Sequence, residues 1–309
     1  MISLYSAPAE AERVERGQKG TGSAGWLMRG AAAGAVLAGI VGLFALAPGR
    51  AAHDGAALIL KLQPPLPPPP LPAVTGPAGR PLVVIDPGHG GHDPGALSRT
   101  GAVSEKSVTL ALARAVKAKL AAGGRVRVAL TRDEDRYLSL RERFETARYL
   151  GAALFISLHA DAAPLNDAAH GATIYTLSEV ASDREAAALA KSENRADIVR
   201  GINLSGTGDD VASILIDLAQ RESRDVAVSF ARLLHREAAG SVPFRPDHHR
   251  TASLVVLKAP DLPSVLLEAG YITNETDLAF IDSPGGRARI AEALARAVEI
   301  HFAKRLAAP

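Results

Sequence analysis

Four stretches of this sequence place a histidine or a glutamate where an apolar run ends or a helical pattern begins. His89 lies in a loop rich in glycine and proline that follows a run of β-branched residues, and His159 ends the run FISLH. Glu105 stands at the start of a helical pattern, and Glu268 follows the apolar residues of PSVLLE. In open α/β sheets, ligands bind beyond the carboxyl ends of the strands. The four side chains are therefore candidates for one site.

Two histidines and one carboxylate can bind zinc and leave a fourth position open for water. On this interpretation, His89, Glu105 and His159 are the metal ligands. Glu268 then has the chemistry of a general base, which takes a proton as water attacks a polarised carbonyl and passes it to the leaving amine. The chain has no cysteine, so a zinc site must be built from His, Asp or Glu. The same ligands would accept other divalent ions.

Each of these residues has a structural explanation when it is taken alone. A loop histidine can simply be solvated, a glutamate in the first turn of a helix often only interacts with the helix dipole, and a carboxylate after a strand can cap the next turn. The four together are harder to explain by packing, because all fall at strand ends or at the adjoining start of a helix.

Other polar residues compete for functional roles. His92 is a rival ligand in the same loop as His89 and is interpreted as a loop or substrate-side residue. The adjacent His248 and His249 are expected on the surface or in a groove just before a strand, because neighbouring histidines rarely bind one ion together. Arg250 could contact a carboxylate of a substrate, although most exposed arginines have no such role.

The elements that position these residues alternate between strands and helices. Apolar runs predict strands at residues 82–85, 126–131, 153–158, 172–177, 254–257 and 264–267. Helical spacing of apolar residues predicts helices at residues 104–121, 139–149 and 284–306, and a long helical region over residues 183–240. This pattern predicts an α/β fold with a mixed, mainly parallel central sheet flanked by helices. Because the long helical region exceeds a simple crossover, residues 180–245 are interpreted as a helical regulatory insertion.

Composition and the N-terminal segment indicate an exported protein. The 35 basic and 33 acidic residues nearly balance, which argues against a nucleic-acid binder. Residues 1–52 carry basic residues followed by an uncharged apolar stretch, as in a signal peptide or an N-terminal anchor, and any membrane contact would be through this segment if it is not cleaved. Met28 begins a segment with the proportions of a complete signal peptide, so one hypothesis places the start of translation there.

Residues 53–81 are predicted to be a proline-rich linker, and residues 82–309 one folded domain.

The segments IDPGHGGHDPGA, SEKSVTLALA, SLHAD and PSVLLEAGYITN, in this order, resemble the type 3 family of N-acetylmuramoyl-L-alanine amidases, the zinc amidases of bacterial cell walls. The resemblance covers about residues 82–307. It implies a mixed sheet flanked by helices, and hydrolysis of the amide between N-acetylmuramic acid and the L-alanine of the peptidoglycan stem peptide. It also implies that His89, Glu105 and His159 bind zinc, that Glu268 is the catalytic carboxylate, and that the enzyme acts in the periplasm.

The insertion resembles that of the division-associated branch of this family, in which a helix blocks the active site. On that resemblance, a helix over residues 182–200 brings Glu193 to the zinc, although its local pattern alone predicts a solvated helix residue. A following apolar stripe comprises Val211, Ile214, Leu215 and Leu218. The stripe predicts either packing on the protein's own sheet or, by the same resemblance, docking of an activator similar to a degenerate metallopeptidase.

Two other functions stay open from the residues alone. A zinc peptidase that cuts within the stem peptide would use similar ligands. A wall-binding protein without activity is the alternative from another class, but it would have no need of a base at Glu268.

Overall fold

The computed structural model describes residues 71–163, 168–196 and 210–307, all within the compact unit Leu60–Pro309. Of residues 210–218 and 306–307 it describes only the backbone. The strands are β1 (Leu82–Pro87), β2 (Arg127–Leu130), β3 (Leu154–His159), β4 (Ala172–Leu177), β5 (Phe244–Ala252) and β6 (Ser264–Glu268). The α-helices are α1 (Glu105–Gly123), α2 (Leu140–Tyr149), α3 (Arg184–Glu193), α4 (Asp210–Ala238), α5 (Glu275–Ile281) and α6 (Pro284–Ala307).

The described strands form one sheet in the order β2-β1-β3-β6-β4-β5. The four strands β2, β1, β3 and β6 are mutually parallel, whereas β4 runs antiparallel to β6 and β5 runs parallel to β4. The predicted mixed, mainly parallel sheet is thereby confirmed. Because β1, β3 and β6 are parallel, their carboxyl ends meet at one edge, where His159 is in register with Glu268.

Both faces of the sheet are covered by helices. One core joins alternate strand residues such as Val83 and Ile85 to α1, α4 and α6. The other joins Leu82 and Val84 to α2, α3 and a 3-10 turn at Val255–Leu257. Every residue of β1 and β3 is buried, which explains why these strands are continuous apolar runs rather than alternating ones.

Local signals explain several helix ends. The Ser139 side chain accepts a hydrogen bond from the Glu142 backbone, and the Glu142 side chain accepts one from the Ser139 backbone, so a capping box starts α2 at the beginning of the helix predicted over residues 139–149. Gly124 ends α1 in a left-handed conformation that glycine adopts without strain. The predicted helical region over residues 183–240 consists, within the described residues, of α3 and α4.

The predicted strand at residues 254–257 is wrong. This apolar segment forms the 3-10 turn, in which Val256 and Leu257 are buried against the second core rather than in the sheet. The strand of this region is instead β5, which lies at an edge of the sheet and has mostly polar residues. Edge strands need not show apolar periodicity, so the pattern misplaced this strand. His248, His249 and Arg250 consequently lie within β5 rather than before a strand.

Within residues 71–163, 168–196 and 210–307, none of the helices combines the length and apolar character needed to cross a membrane.

Two buried arginines hold the loop that follows β1. Arg143 pairs with the fully buried Asp86 at 3.0 Å and donates to the carbonyl oxygens of Pro87 at 2.7 Å and His89 at 2.8 Å. Arg132 donates to the carbonyl oxygens of Pro87 at 3.0 Å and Gly88 at 2.8 Å. The loop backbone, which has no regular ladder here, is therefore satisfied by fixed side-chain donors.

Asp86 completes this arrangement. Thr131 and Ser157 donate hydroxyl hydrogen bonds to its carboxylate at 2.5 and 2.8 Å. Burial opposes ionisation, but Arg143 and these two hydrogen bonds hold the pKa of Asp86 below its ordinary value.

Replacing Asp86 with asparagine should lower the free energy of unfolding at pH 7 by about 3 kcal/mol, because Arg143 loses its buried counter-charge. A carboxylate whose pKa is lower in the folded state stabilises the fold above its unfolded pKa of about 4 and loses that contribution as pH falls further. The difference between wild type and Asp86→Asn should therefore shrink as pH is lowered below about 4. Urea unfolding of both proteins across this pH range measures it.

The matched control is Asp247→Asn, which removes an exposed carboxylate from β5. Its effect should stay within about 0.5 kcal/mol at every pH. An equal loss of stability in both variants would contradict the role assigned to Asp86.

Candidate metal centre

His89 is presented by a strained turn. Its backbone has a φ of 60°, and it is the non-glycine residue with positive φ in the described part of the chain. Histidine tolerates this left-handed region better than bulky residues do, and such strain is concentrated at functional sites. The Arg143 hydrogen bond to the His89 carbonyl holds the conformation.

The side chains of His89, Glu105, His159 and Glu193 converge on one point. His89 Nε2 lies 3.1 Å from Glu105 Oε2 and 3.4 Å from Glu193 Oε2. His159 Nδ1 lies 3.1 Å from both Glu105 Oε1 and Glu193 Oε2. Tetrahedral zinc with ligands at 2.0–2.1 Å requires ligand atoms about 3.3 Å apart. The distances of His89 Nε2 and His159 Nδ1 to Glu193 Oε2 are close to this value. Glu105 contacts the two histidines through separate oxygens, Oε2 toward His89 and Oε1 toward His159.

His89 Nε2 gives a second test of the fit. This buried atom is close to two carboxylates but makes no hydrogen bond with suitable geometry. A buried imidazole nitrogen without a hydrogen-bond partner, surrounded by carboxylates, has the environment of a metal ligand. His89, His159 and Glu193 also form a cluster whose donor atoms all lie within 4.8 Å of one another.

Glu105 is held in place through its own two oxygens. Oε1 accepts a hydrogen bond from the Ala160 backbone at 2.9 Å, and Oε2 accepts one from the Ala96 backbone at 2.8 Å. These donors belong to the segments that carry His159 and His89. The first turn of α1 is therefore connected to both histidine-bearing segments.

Asp93 orients His89. Its Oδ2 lies 2.8 Å from His89 Nδ1, which leaves Nε2 facing the cluster. Carboxylates commonly orient metal-binding histidines in this way. Sequence reasoning did not single out Asp93, although its position four residues after His89 in the glycine-rich loop was an available signal.

The centre carries an excess of negative charge. Burial alone would lower the pKa of His159, but the carboxylates of Glu193 and Glu105 raise it to about 10. Burial raises the pKa of Asp161 to about 8, and the charges of Glu193 and Glu105 act in the same direction. A site in which carboxylates repel one another and stabilise protonated histidine favours a bound cation.

Glu268 lies beside this cluster without a partner of its own. It is 2% exposed, and neither carboxylate oxygen has a hydrogen-bond partner. Burial, reinforced by Asp161, raises the pKa of Glu268 well above its ordinary value. Its register with His159 places it next to the cluster, on the neighbouring strand. A carboxyl group with a raised pKa at such a position has the properties of a catalytic base.

The other residues considered from the sequence lie elsewhere. His92 is exposed at the mouth of the cleft, where its ring contacts Tyr137 at 4.2 Å between centroids. His248 stacks on His235 at 3.5 Å, and His249 Nε2 lies 3.0 Å from the Thr176 hydroxyl.

Arg250 is not the exposed arginine that was expected. It is 5% exposed and its Nη1 lies 3.1 Å from Glu185 Oε2 on α3. Its orientation toward a helix of the same chain could not be inferred without the tertiary structure.

The apolar stripe of Val211, Ile214, Leu215 and Leu218 belongs to α4, and the side chains of these four residues lie outside the described part of the structure. The two interpretations of the stripe therefore stay predictions.

The sequence and the fold both match proteins of one known family. The profile of the N-acetylmuramoyl-L-alanine amidase family (Amidase_3) matches residues 83–300. The chain belongs to this amidase family. The enzyme is 37% identical to N-acetylmuramoyl-L-alanine amidase AmiA of Salmonella typhimurium over 225 residues, which cover 72% of this chain and 76% of that protein.

Further relatives support the family and the fold. AmiA of Escherichia coli is 36% identical and is matched over 72% of this chain and 77% of its own length. Among solved structures, the amidase AmiC2 of Nostoc punctiforme aligns with a TM-score of 0.52 at 27% identity, over 74% of this chain and 99% of that chain. The catalytic domain of the amidase CwlV of Bacillus (Paenibacillus) polymyxa has a TM-score of 0.53 at 24% identity, over 72% of this chain and 98% of that one, and shows the shared fold.

Gly95 must lack a side chain for the amidase centre to form. A Cβ there would lie 2.6 Å from both Glu105 Oε2 and His89 Cδ2, and the residue has a φ of +66°. We expect Gly95→Ala to weaken metal binding by about 10–100-fold, as loss of ligand orientation does elsewhere. Metal content after dialysis against buffered zinc, together with a competition titration, measures this.

The control for this prediction is Gly101→Ala. Gly101 has a φ of +71°, but a Cβ there meets no atom within 4 Å. Both variants suffer the same backbone penalty of about 1–2 kcal/mol, and Gly95→Ala alone disturbs the ligands. Equal metal affinities of the two variants would show that Gly95 matters only for its backbone.

Proposed function

We propose that this peptidoglycan amidase is an exported, zinc-dependent enzyme that acts in cell separation at division and is held inactive by α3. Its reaction is hydrolysis of the amide between N-acetylmuramic acid and the L-alanine of the stem peptide. The observation that carries the proposal is the convergence of His89, Glu105, His159 and Glu193 at zinc-ligand spacing. In this proposal the first three are the ligands that stay, and Glu193 is the displaceable one.

The catalytic role of Glu268 follows from its environment. Zinc held by His89, Glu105 and His159 would polarise the substrate carbonyl and lower the pKa of the attacking water. Glu268 accepts a proton from that water as it attacks the carbonyl carbon. It then gives the proton to the amine nitrogen as the carbon–nitrogen bond breaks. Burial raises the pKa of Glu268 above its ordinary value, so the carboxylate holds a proton taken from water more readily than an exposed glutamate does.

Autoinhibition is supported by where α3 ends. Glu193, its last residue, is 8% exposed and its Oε2 is within 3.4 Å of both histidines. A ligand atom there occupies the position that substrate or water needs. Residues of α3 also line the cleft of about 860 Å³ that opens at the centre.

Polar contacts fasten α3 at both ends. Near its start, Glu185 accepts hydrogen bonds from Arg245 and from the hydroxyl of Tyr271, and also pairs with Arg250. Beyond its end, the Asn194 side chain donates to a backbone carbonyl at 2.8 Å.

The helix α3 buries little apolar surface, because its buried apolar residues are two alanines and one leucine: Ala186, Leu189 and Ala190. A helix held mainly by polar contacts is at the low-stability end of a fold and can be displaced.

The remaining parts of the proposal rest on sequence pattern, and of the segments concerned the structure describes residues 71–81 and the backbone of the stripe on α4. The apolar stretch within residues 1–52 supports export to the periplasm as a signal peptide or anchor, with residues 53–81 as the linker to the catalytic domain at residues 82–309. The stripe on α4 is the proposed contact for an activator similar to a degenerate metallopeptidase, which would draw α3 from the site.

Digestion of purified peptidoglycan by the full-length protein tests the reaction. We expect release of free stem peptides that begin with L-alanine, and loss of that release when a chelator removes the metal. Mass analysis of the fragments measures it, with Glu193→Ala run in parallel because the inhibited wild type is expected to have low activity. Cleavage within the stem peptide would identify a peptidase, and binding without release would identify a wall-binding protein.

The variant Glu268→Ala should keep its metal but lose turnover by at least about 100-fold, because general base catalysis contributes that much or more. Zinc content and hydrolysis of peptidoglycan are measured on the same sample, in the Glu193→Ala background. Near-normal turnover with full metal content would mean that the base is another residue, with Asp161 as the next candidate.

Glu193→Ala should raise basal hydrolysis, because it removes the side chain that fills the site while the three proposed ligands remain. We expect the rate of basal hydrolysis to rise about tenfold or more, because loss of one ionic contact worth roughly 1.4 kcal/mol changes the population of the open site by a factor of ten. Release of dye-labelled peptidoglycan by the purified protein measures it.

Two further variants sharpen this test. Lys191→Ala changes an exposed residue of the same helix and should leave basal activity unchanged. Glu185→Ala breaks the contacts with Arg245 and Arg250 but keeps Glu193, so it should raise activity by loosening α3. Unchanged activity in both Glu193→Ala and Glu185→Ala, with normal folding and metal content, would remove the autoinhibition proposal.

A further inference from the structure

A second cavity lies far from the catalytic chemistry, between α4 and α6. Its volume is about 510 Å³, within the range of small-ligand sites, and it shares no lining residue with the cleft at the metal centre. The helices α4 and α6 pack on the face of the sheet opposite to α3. The cavity therefore lies in a different helical layer from the element proposed to control the active site.

The rim of this cavity is strongly basic. Arg232 and Arg236 are one helical turn apart on α4, and Lys304 and Arg305 are adjacent near the end of α6. Among the side chains that the structure describes, no carboxylate lies within 4.0 Å of the charged groups of Arg232, Lys304 or Arg305, and no acidic residue lines the cavity. The exposed side chains of Arg232, Lys304 and Arg305 thus present positive charge to one open space without a carboxylate partner, which attracts an anion.

A buried polar atom at the same place also lacks a partner. His301 on α6 lines the cavity and is 8% exposed, and its Nε2 has no hydrogen-bond partner. Its ring is fixed edge-on against Phe230 and Phe302, at centroid distances of 5.5 and 4.9 Å. An unsatisfied buried nitrogen is costly and uncommon in folded proteins, so a group that bonds to it is expected.

The protonation of His301 suits a hydrogen bond to an anion. Burial, with the charge of Arg305, lowers the pKa of His301 to about 4. The imidazole is therefore neutral, and in one tautomer its Nε2 carries a hydrogen that an anionic oxygen can accept. The apolar side chains of Val226 and Leu233 line the same cavity and can accommodate an uncharged part of the ligand.

We propose that the cavity between α4 and α6 binds a phosphate-bearing ligand, with its phosphate oxygens accepting hydrogen bonds from Arg232, Arg305 and His301 Nε2. Phosphate fits better than carboxylate because it offers three terminal oxygens and up to two negative charges to several donors at once. Such a group can come from a soluble phosphate compound or from the headgroup of an anionic phospholipid. The site is separate from the amidase centre and does not depend on the function proposed for it.

Two probes and a charge-matched pair of variants test this site in the full-length protein. The test variant is Arg232→Ala/Arg305→Ala. The control is Arg221→Ala/Arg289→Ala, which removes one exposed arginine from each of the same two helices outside the cavity. Both variants have the same net charge and the same N-terminal segment, so non-specific attraction and any membrane contact through that segment are equal.

The first probe is inorganic phosphate, followed through the imidazole NMR signals of His301 because a metal at the active site can also take phosphate. We expect a saturable shift of these signals in wild type and control, and binding at least about tenfold weaker in the test variant. His301→Phe keeps the ring packing and removes Nε2. It should likewise weaken phosphate binding in a calorimetric titration, which keeps the test available if the double variant does not fold.

The second probe distinguishes the sources of the phosphate. Vesicles of phosphatidylglycerol and phosphatidylcholine are compared with vesicles of phosphatidylcholine alone by co-sedimentation. Binding of the control to anionic vesicles at least about tenfold more tightly than the test variant would show that the phosphate belongs to a lipid headgroup. Equal vesicle binding, with the phosphate effect present, identifies a soluble compound. Two results would overturn the proposal. One is the absence of a saturable shift at His301 together with equal vesicle binding by the two double variants. The other is equal phosphate affinity of the two double variants.

Discussion

The edge of the sheet that carries the candidate metal centre depends on the hydrogen bonds that two buried arginines donate to one loop. Arg132 and Arg143 donate to three consecutive carbonyl groups, from Pro87 to His89, and Asp86 balances the charge of Arg143. Without these donors, the carbonyl oxygens of Pro87 and His89 would lose the side-chain hydrogen bonds that they accept, and the left-handed conformation of His89 would lose its support. The backbone that carries His89 is thus held by residues outside the cluster of His89, Glu105, His159 and Glu193.

The sheet supplies the second constraint. Parallel pairing of β1, β3 and β6 brings residues distant in sequence to one edge, so that His159 and Glu268 are neighbours on adjacent strands. The antiparallel strand β4 begins beside Glu268, with Thr173 as its register partner. The change of strand direction, between β6 and β4, therefore adjoins Glu268.

Much of this arrangement could be predicted from the sequence, because buried parallel strands are continuous apolar runs and the polar residues that end them are conspicuous. His89, Glu105, His159 and Glu268 were found in this way. The contacts of Glu193 and Arg250 could not be found from local pattern, since both are buried by the packing of α3 against the catalytic edge. The pattern of β5 was equally uninformative because an edge strand is not required to be apolar. Arg132 and Arg143 look like surface residues in sequence, and only the folded loop gives them buried partners.

The contact between Glu193 and the two histidines also has a consequence for how long the protein keeps its metal. In the proposed centre, Glu193 adds a fourth protein donor to His89, Glu105 and His159, and four protein donors are the composition of a structural zinc site rather than a catalytic one. Withdrawal of α3 as proposed leaves three donors and an open position. On this proposal, the form with α3 in place releases its ion slowly because all four positions are filled by protein. The form with α3 withdrawn exchanges its ion more readily, so its active lifetime would depend on the free metal in its surroundings.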